Sequence, residues 1–73
     1  MTASDFALRG EHIALAALLK ASGIAASGGA AKLLLAEGQV RVNGEPESRR
    51  GRKLRDGDEV AVGDRRVHVR APV

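Results

Sequence analysis

Seventy-three residues, with twelve Lys and Arg against nine Asp and Glu, give a formal charge of +3 and material for one small domain with a compact core. Cysteine is absent, which excludes disulfides, thiolate metal sites and cysteine nucleophiles and points to a reducing compartment. No apolar run approaches the ~20 residues that span a bilayer, and MTASDFALRG lacks the basic-then-apolar order of a signal peptide, so a cytoplasmic, non-membrane protein is expected.

The chain opens with a weak alternation from Phe6 to Arg9, read as a short edge strand with Phe6 and Leu8 inward and Gly10 as its break. From Glu11 to Ala21, apolar residues recur at three- and four-residue spacing (Ile13, Ala16, Ala17; Leu15, Leu18, Leu19), which predicts a helix. Lys20 suits the negative end of that helix, and Gly23 suits the left-handed stop position. A second helix comes next, with Ser27 as its N-cap, Ala31, Leu34 and Leu35 as the buried stripe beside Ala30 and Leu33, and Gly38 as the stop after Glu37.

The rest reads as β-structure. Val40 and Val42 alternate with Arg41 and Asn43, and Asn43-Gly44 carries the signature of a type I′ hairpin turn. Pro46 demotes its segment to an edge or irregular strand, and Ser48 to Lys53 reads as a loop. Asp56-Gly57 and Gly63-Asp64 mark turns around a strand bearing Val60 and Val62. A last strand places Val67 and Val69 inward, with Arg66, His68 and Arg70 on its other face. The expected fold class is α+β: two helices, antiparallel or steeply crossed, packed on a small, mostly antiparallel, twisted sheet.

The charge is uneven. Between Arg41 and Arg55, six basic residues stand against Glu45 and Glu47, while the other 58 residues sum to −1. Such a concentration suits a polyanion. Catalysis finds no constellation: His12 and His68 lie in different elements, Ser27 is a cap, and Asp56, Asp58 and Glu59 cluster where a turn needs them without calcium-loop spacing. A non-enzyme without cofactor or metal is therefore expected. Ser27-Gly28-Gly29 opens a helix with small residues and Lys32 one turn on, but the spacing is not that of a P-loop.

Lys32, Arg41 and the Arg49–Lys53 stretch are expected to converge on one surface as the second helix packs beside the hairpin. One Phe, with no Tyr or Trp, leaves no platform on which to stack single-stranded bases, so the surface would read the backbone and shape of folded RNA. The competing reading is a protein-interaction module whose cations meet an acidic partner. A membrane surface would require an amphipathic helix with a basic face, which is missing.

The pattern S27-x-x-x-A31-K32-x-L34-L35-x-x-G38-x-V40-x-V42-N43-G44, continued by L54-x-x-G57-D58-x-V60, resembles the S4-type RNA-binding domain, or αL motif. The opening LRGEHIALAALLKASGIAASGGAAK and the arginine-rich loop are most similar to the small stand-alone YbcJ-type members, in which residues 1–73 would be one S4-like domain. The resemblance implies binding to structured RNA, such as ribosomal RNA or tRNA, through Ser27, Gly28, Lys32, Arg41, Asn43, Arg49, Arg50, Arg52 and Lys53. Many members carry Arg where this chain has Gly28, which shifts the charge burden to Lys32 and the later arginines.

Overall fold

The computed structural model describes residues 2–71. In chain order the elements are β1 (Thr2–Ala7), β2 (Ile13–Ala14), α1 (Leu15–Ala21), α2 (Gly28–Ala36), β3 (Val40–Val42), β4 (Glu45–Pro46), β5 (Lys53–Leu54), β6 (Glu59–Val62) and β7 (Arg65–Arg70). Five strands form one sheet in the order β1-β7-β6-β3-β4, and β2 pairs with β5 in a separate ribbon. Every pair is antiparallel except β1 with β7, which run parallel. The architecture is the small, mostly antiparallel α+β fold expected.

The core lies between the helices and one face of the sheet. Leu15, Leu18 and Leu19 of α1 and Ala31 and Leu35 of α2 meet Val40, Val42, Leu54, Val60, Val67 and Val69, all nearly inaccessible to water. Removing a Leu side chain from such a site costs about 2–5 kcal/mol. Strand alternation puts these valines on the helix side, so residues between them face away from the helices. Val62 and Leu34 reach only the half-buried margin, and Leu33 is 58% exposed on the outer side of α2.

Punctuation residues act where the sequence places them. Ser27, in extended backbone, accepts the Ala30 N–H on its Oγ (3.1 Å) and caps α2. Gly38 ends α2 at φ +72°, and Asn43 and Gly44 turn the β3–β4 hairpin at φ +53° and +85°.

Two boundaries differ from the sequence reading. The first strand begins at Thr2 rather than Phe6, because it runs along β7, from Thr2 opposite Arg65 to Ala7 opposite Arg70. Phe6 and Leu8 still share the inward side, Leu8 beyond the strand end with its N–H on the Arg70 carbonyl. The first helix begins at Leu15 rather than Glu11. Its leading residues Ile13 and Ala14 pair with Leu54 and Lys53, and Ala14 offers no capping side chain. The first N–H groups of α1 go instead to the loop ahead of β5: Leu15 N–H to the Arg52 carbonyl (2.8 Å) and Ala16 N–H to the Arg50 carbonyl (3.0 Å). Lys53 accordingly lies in β5, not in the loop.

Candidate nucleic-acid interface

Helix spacing puts Gly28, Lys32 and Leu35–Ala36 on one face of α2, a turn apart. That face borders an open cleft of about 450 Å³ lined by Lys32, Leu35, Ala36, Ser48, Arg49 and Arg50. Leu35 forms part of its floor and the three cations its rim. The arginine segment reaches the cleft because its backbone is tied at both ends. Glu47 N–H bonds the Val40 carbonyl (3.0 Å), and the carbonyls of Arg50 and Arg52 close the start of α1. Two carbonyls capping a helix fix the path of the chain, while the side chains of Arg49 and Arg50 remain exposed.

Glu47 organises this segment. Its carboxylate accepts the Ser48 N–H (3.1 Å), the Arg49 N–H (3.2 Å), Arg49 Nε and Nη2 (3.2 and 3.0 Å) and Arg52 Nη1 (2.9 Å). The Arg49 guanidinium, then that of Arg52, then the Arg49 N–H hold the Glu47 carboxyl at a pKa of about 2, well below its ordinary 4.5. The same pair raises the pKa of Arg49. The Glu47 side chain is 9% exposed while that of Arg49 is 75% exposed, so the acid lies beneath and the cation faces out.

The sequence-selected residues thus divide. Lys32, Arg49 and Arg50 share the cleft. Arg52 is joined to them through Glu47, and Lys53 extends the segment into β5. Gly28 begins the same helix face, and the oxygen of Ser27 beside it is engaged in the cap. An ideal Cβ at Gly28 meets nothing within 4 Å, so a side chain there projects into open space.

Arg41 does not join this group, contrary to the expected convergence. Val40 and Val42 are buried toward the helices, so Arg41 between them stands on the opposite, uncovered face, in one cross-strand row with Ala61 and Arg66. Asn43 is engaged at both ends of its amide: Nδ2 donates to Asp58 Oδ1 (3.0 Å) and Oδ1 accepts the Glu59 N–H (2.9 Å). Partial burial opposes ionisation of Asp58, but the Arg55 N–H, the Asn43 amide and the charges of Arg52 and Arg55 outweigh it and lower its pKa. Asn43 and Asp58 therefore lock the β3 turn to the start of β6.

Glu47 and Asp58 were not singled out as site residues by the sequence reading. The signal for Glu47 was present in the spacing: an acid two and five residues before arginines, in a segment otherwise cationic.

Most of the chain is similar to known proteins. The S4 domain family model matches residues 6–70. This chain belongs to the S4 domain family. The S4 domain here is 45% identical over 60 residues to "Probable ribosome maturation protein RlbA" of Bacillus subtilis, covering 82% of this chain and 84% of that protein. It is 42% identical over 58 residues to "Putative RNA-binding protein YbcJ" of Escherichia coli, covering 80% and 83%. An identical degree of similarity links it to the YbcJ protein of Shigella flexneri. Every element from α1 to β6 of this S4 domain lies within the family match.

Proposed function

We propose that this S4 domain is a non-catalytic, cytoplasmic RNA-binding protein that grips the phosphate backbone of structured RNA in the cleft between α2 and the arginine segment. The observation that carries the reading is the meeting of Lys32, Arg49 and Arg50, from separate elements, around one open cleft on a backbone held by helix-capping bonds. Arginine forks and a lysine point charge suit phosphate oxygens, and a shallow cleft without aromatic platforms suits folded RNA better than loose strands. The names of its relatives, one a ribosome maturation protein and one an RNA-binding protein, support RNA as the ligand and favour ribosomal RNA over tRNA.

Lys32, Arg49, Arg50, Arg52 and Lys53 make the phosphate contacts, Ser27 and Gly28 leave room for the backbone at the helix start, and Asn43 holds the hairpin in place. Arg41, on the other face, contributes long-range charge. The test is binding of ribosomal RNA fragments at a series of salt concentrations. With about four to six contacts, log affinity falls against log salt with a slope of about −3 to −5. A flat response removes phosphate reading. Pull-downs in which nuclease treatment leaves all partners bound would instead support a protein-interaction module.

A further inference from the structure

We infer that Glu47 is a positioning residue of the RNA site: its carboxylate holds the Arg49 and Arg52 guanidinium groups in the arrangement that meets phosphate, so deleting this negative charge weakens binding. The inference rests on the RNA reading above and adds a residue to it. Five N–H donors converge on the two Glu47 oxygens, two from the backbone, two from Arg49 and one from Arg52. Arg49 is gripped along its Nε–Nη2 edge, a two-point contact that fixes the plane of the guanidinium. Its Nη1 hydrogens and the second Nη2 hydrogen remain for a ligand. The acid is nearly covered, whereas Arg49 is mostly exposed, so an approaching phosphate meets cation before anion. An arginine already held loses less rotamer freedom when it binds.

Simple charge counting predicts the opposite sign. Removing an anion from among three arginines and two lysines raises the local positive charge and would tighten binding to a polyanion. The two accounts separate on one substitution. Binding of a fluorescently labelled RNA stem-loop is measured by anisotropy for the wild type, Glu47→Ala, Glu47→Gln, Arg49→Ala/Arg52→Ala, and the last combined with Glu47→Ala.

Glu47→Ala is expected to bind about fivefold more weakly, the effect of freeing about one long side chain. Glu47→Gln, which keeps one carbonyl acceptor, is expected to lie between it and the wild type. In the Arg49→Ala/Arg52→Ala background the change at position 47 is expected to have no further effect, because the groups it positions are gone. Far-ultraviolet circular dichroism and a thermal melt accompany each variant, and if Glu47→Ala does not fold, Glu47→Gln carries the comparison.

Equal or tighter binding by the position-47 variants overturns the inference while leaving RNA binding intact. So does an undiminished loss in the background lacking both arginines, which would make Glu47 a support for the loop alone. Absence of wild-type binding overturns the RNA reading and this inference together.

Discussion

The two faces of the molecule carry similar numbers of arginines and arrange their acids differently. On the uncovered face of the sheet, acids stand beside most of the basic side chains: Glu59 faces Arg66 (3.5 Å) and His68 (3.3 Å), and Asp5 faces Arg70 (3.5 Å), while Arg41 has no ion-pair partner among the described residues. On the cleft side Glu47 sits under two arginines, and Lys32 and Arg50 have no ion-pair partner among the described residues. Counting arginines does not distinguish these faces. What distinguishes them is whether the acids lie alongside the cations, at the surface, or beneath them. Exposed pairs such as Arg70–Asp5 contribute little to stability, but they occupy the cations that would otherwise meet an anion.

The comparison breaks most visibly by stripping each face in turn. Replacing Arg49, Arg50, Arg52 and Lys53 with Ala is expected to weaken RNA binding about a hundredfold at physiological salt, with a flatter salt slope. Replacing Arg41, Arg66 and Arg70 is expected to change it by no more than about threefold, through long-range charge alone. Anisotropy titrations of both sets decide the matter, and a reversed ranking moves the site to the sheet. Because α1 is closed by backbone carbonyls of the loop, neither set is expected to shift the melting temperature by more than a few degrees.

Asn43 lies in the β3–β4 turn, outside the cleft lining. Asn43→Ala removes two hydrogen bonds and leaves Ala in left-handed backbone, an expected loss of about 1–2 kcal/mol in urea unfolding. RNA affinity measured well below the new melting temperature is expected to stay near the wild-type value. A large affinity loss in a folded Asn43→Ala protein would give the amide a direct contact.

A smaller gain is expected at the start of α2. Gly28→Arg has open space, so it adds a cation on the Lys32 face, strengthens RNA binding about threefold and steepens the salt slope by about 0.7–0.9. The better helix propensity of Arg and its unfavourable place at the positive helix end roughly cancel in stability.

The subtlest test is pH. The folded Glu47 pKa is depressed to about 2, so its stabilising grip on the loop is fully present above about 4.5 and is lost as pH falls through about 2. A carbon-13 titration of the Glu47 carboxyl is expected to give a midpoint near 2. A midpoint in the ordinary carboxylate range would mean that the carboxylate does not hold the arginines in solution.

Much of the fold was legible because it depends on local chemistry. Ser27, Gly38 and Asn43-Gly44 impose their geometry on neighbours within four residues, and the valine alternation names the buried face directly. The start of α1 was not legible, since its N–H groups are satisfied by carbonyls some 35 residues later and Ile13–Ala14 are drawn into a ribbon with Lys53–Leu54. The parallel pairing of β1 with β7 is likewise a long-range choice.

Within the site, the grouping of Lys32 with Arg49 and Arg50 came from a helix packed beside a hairpin. The placement of Arg41 was legible and misjudged: lying between two inward valines, it had to face away from the helices. Glu47 was hidden for a different reason. Sequence gives an acid its sign but not its depth, and here depth reverses its role.

The carbonyls of Arg50 and Arg52 separate two properties that usually vary together. The tie between the loop and α1 is made of peptide groups that all residues possess, so the arginine side chains are not themselves part of that anchor. The amide protons of Leu15 and Ala16 are expected to exchange slowly while that anchor is closed, so their exchange rates gauge whether the loop keeps its grip when RNA arrives.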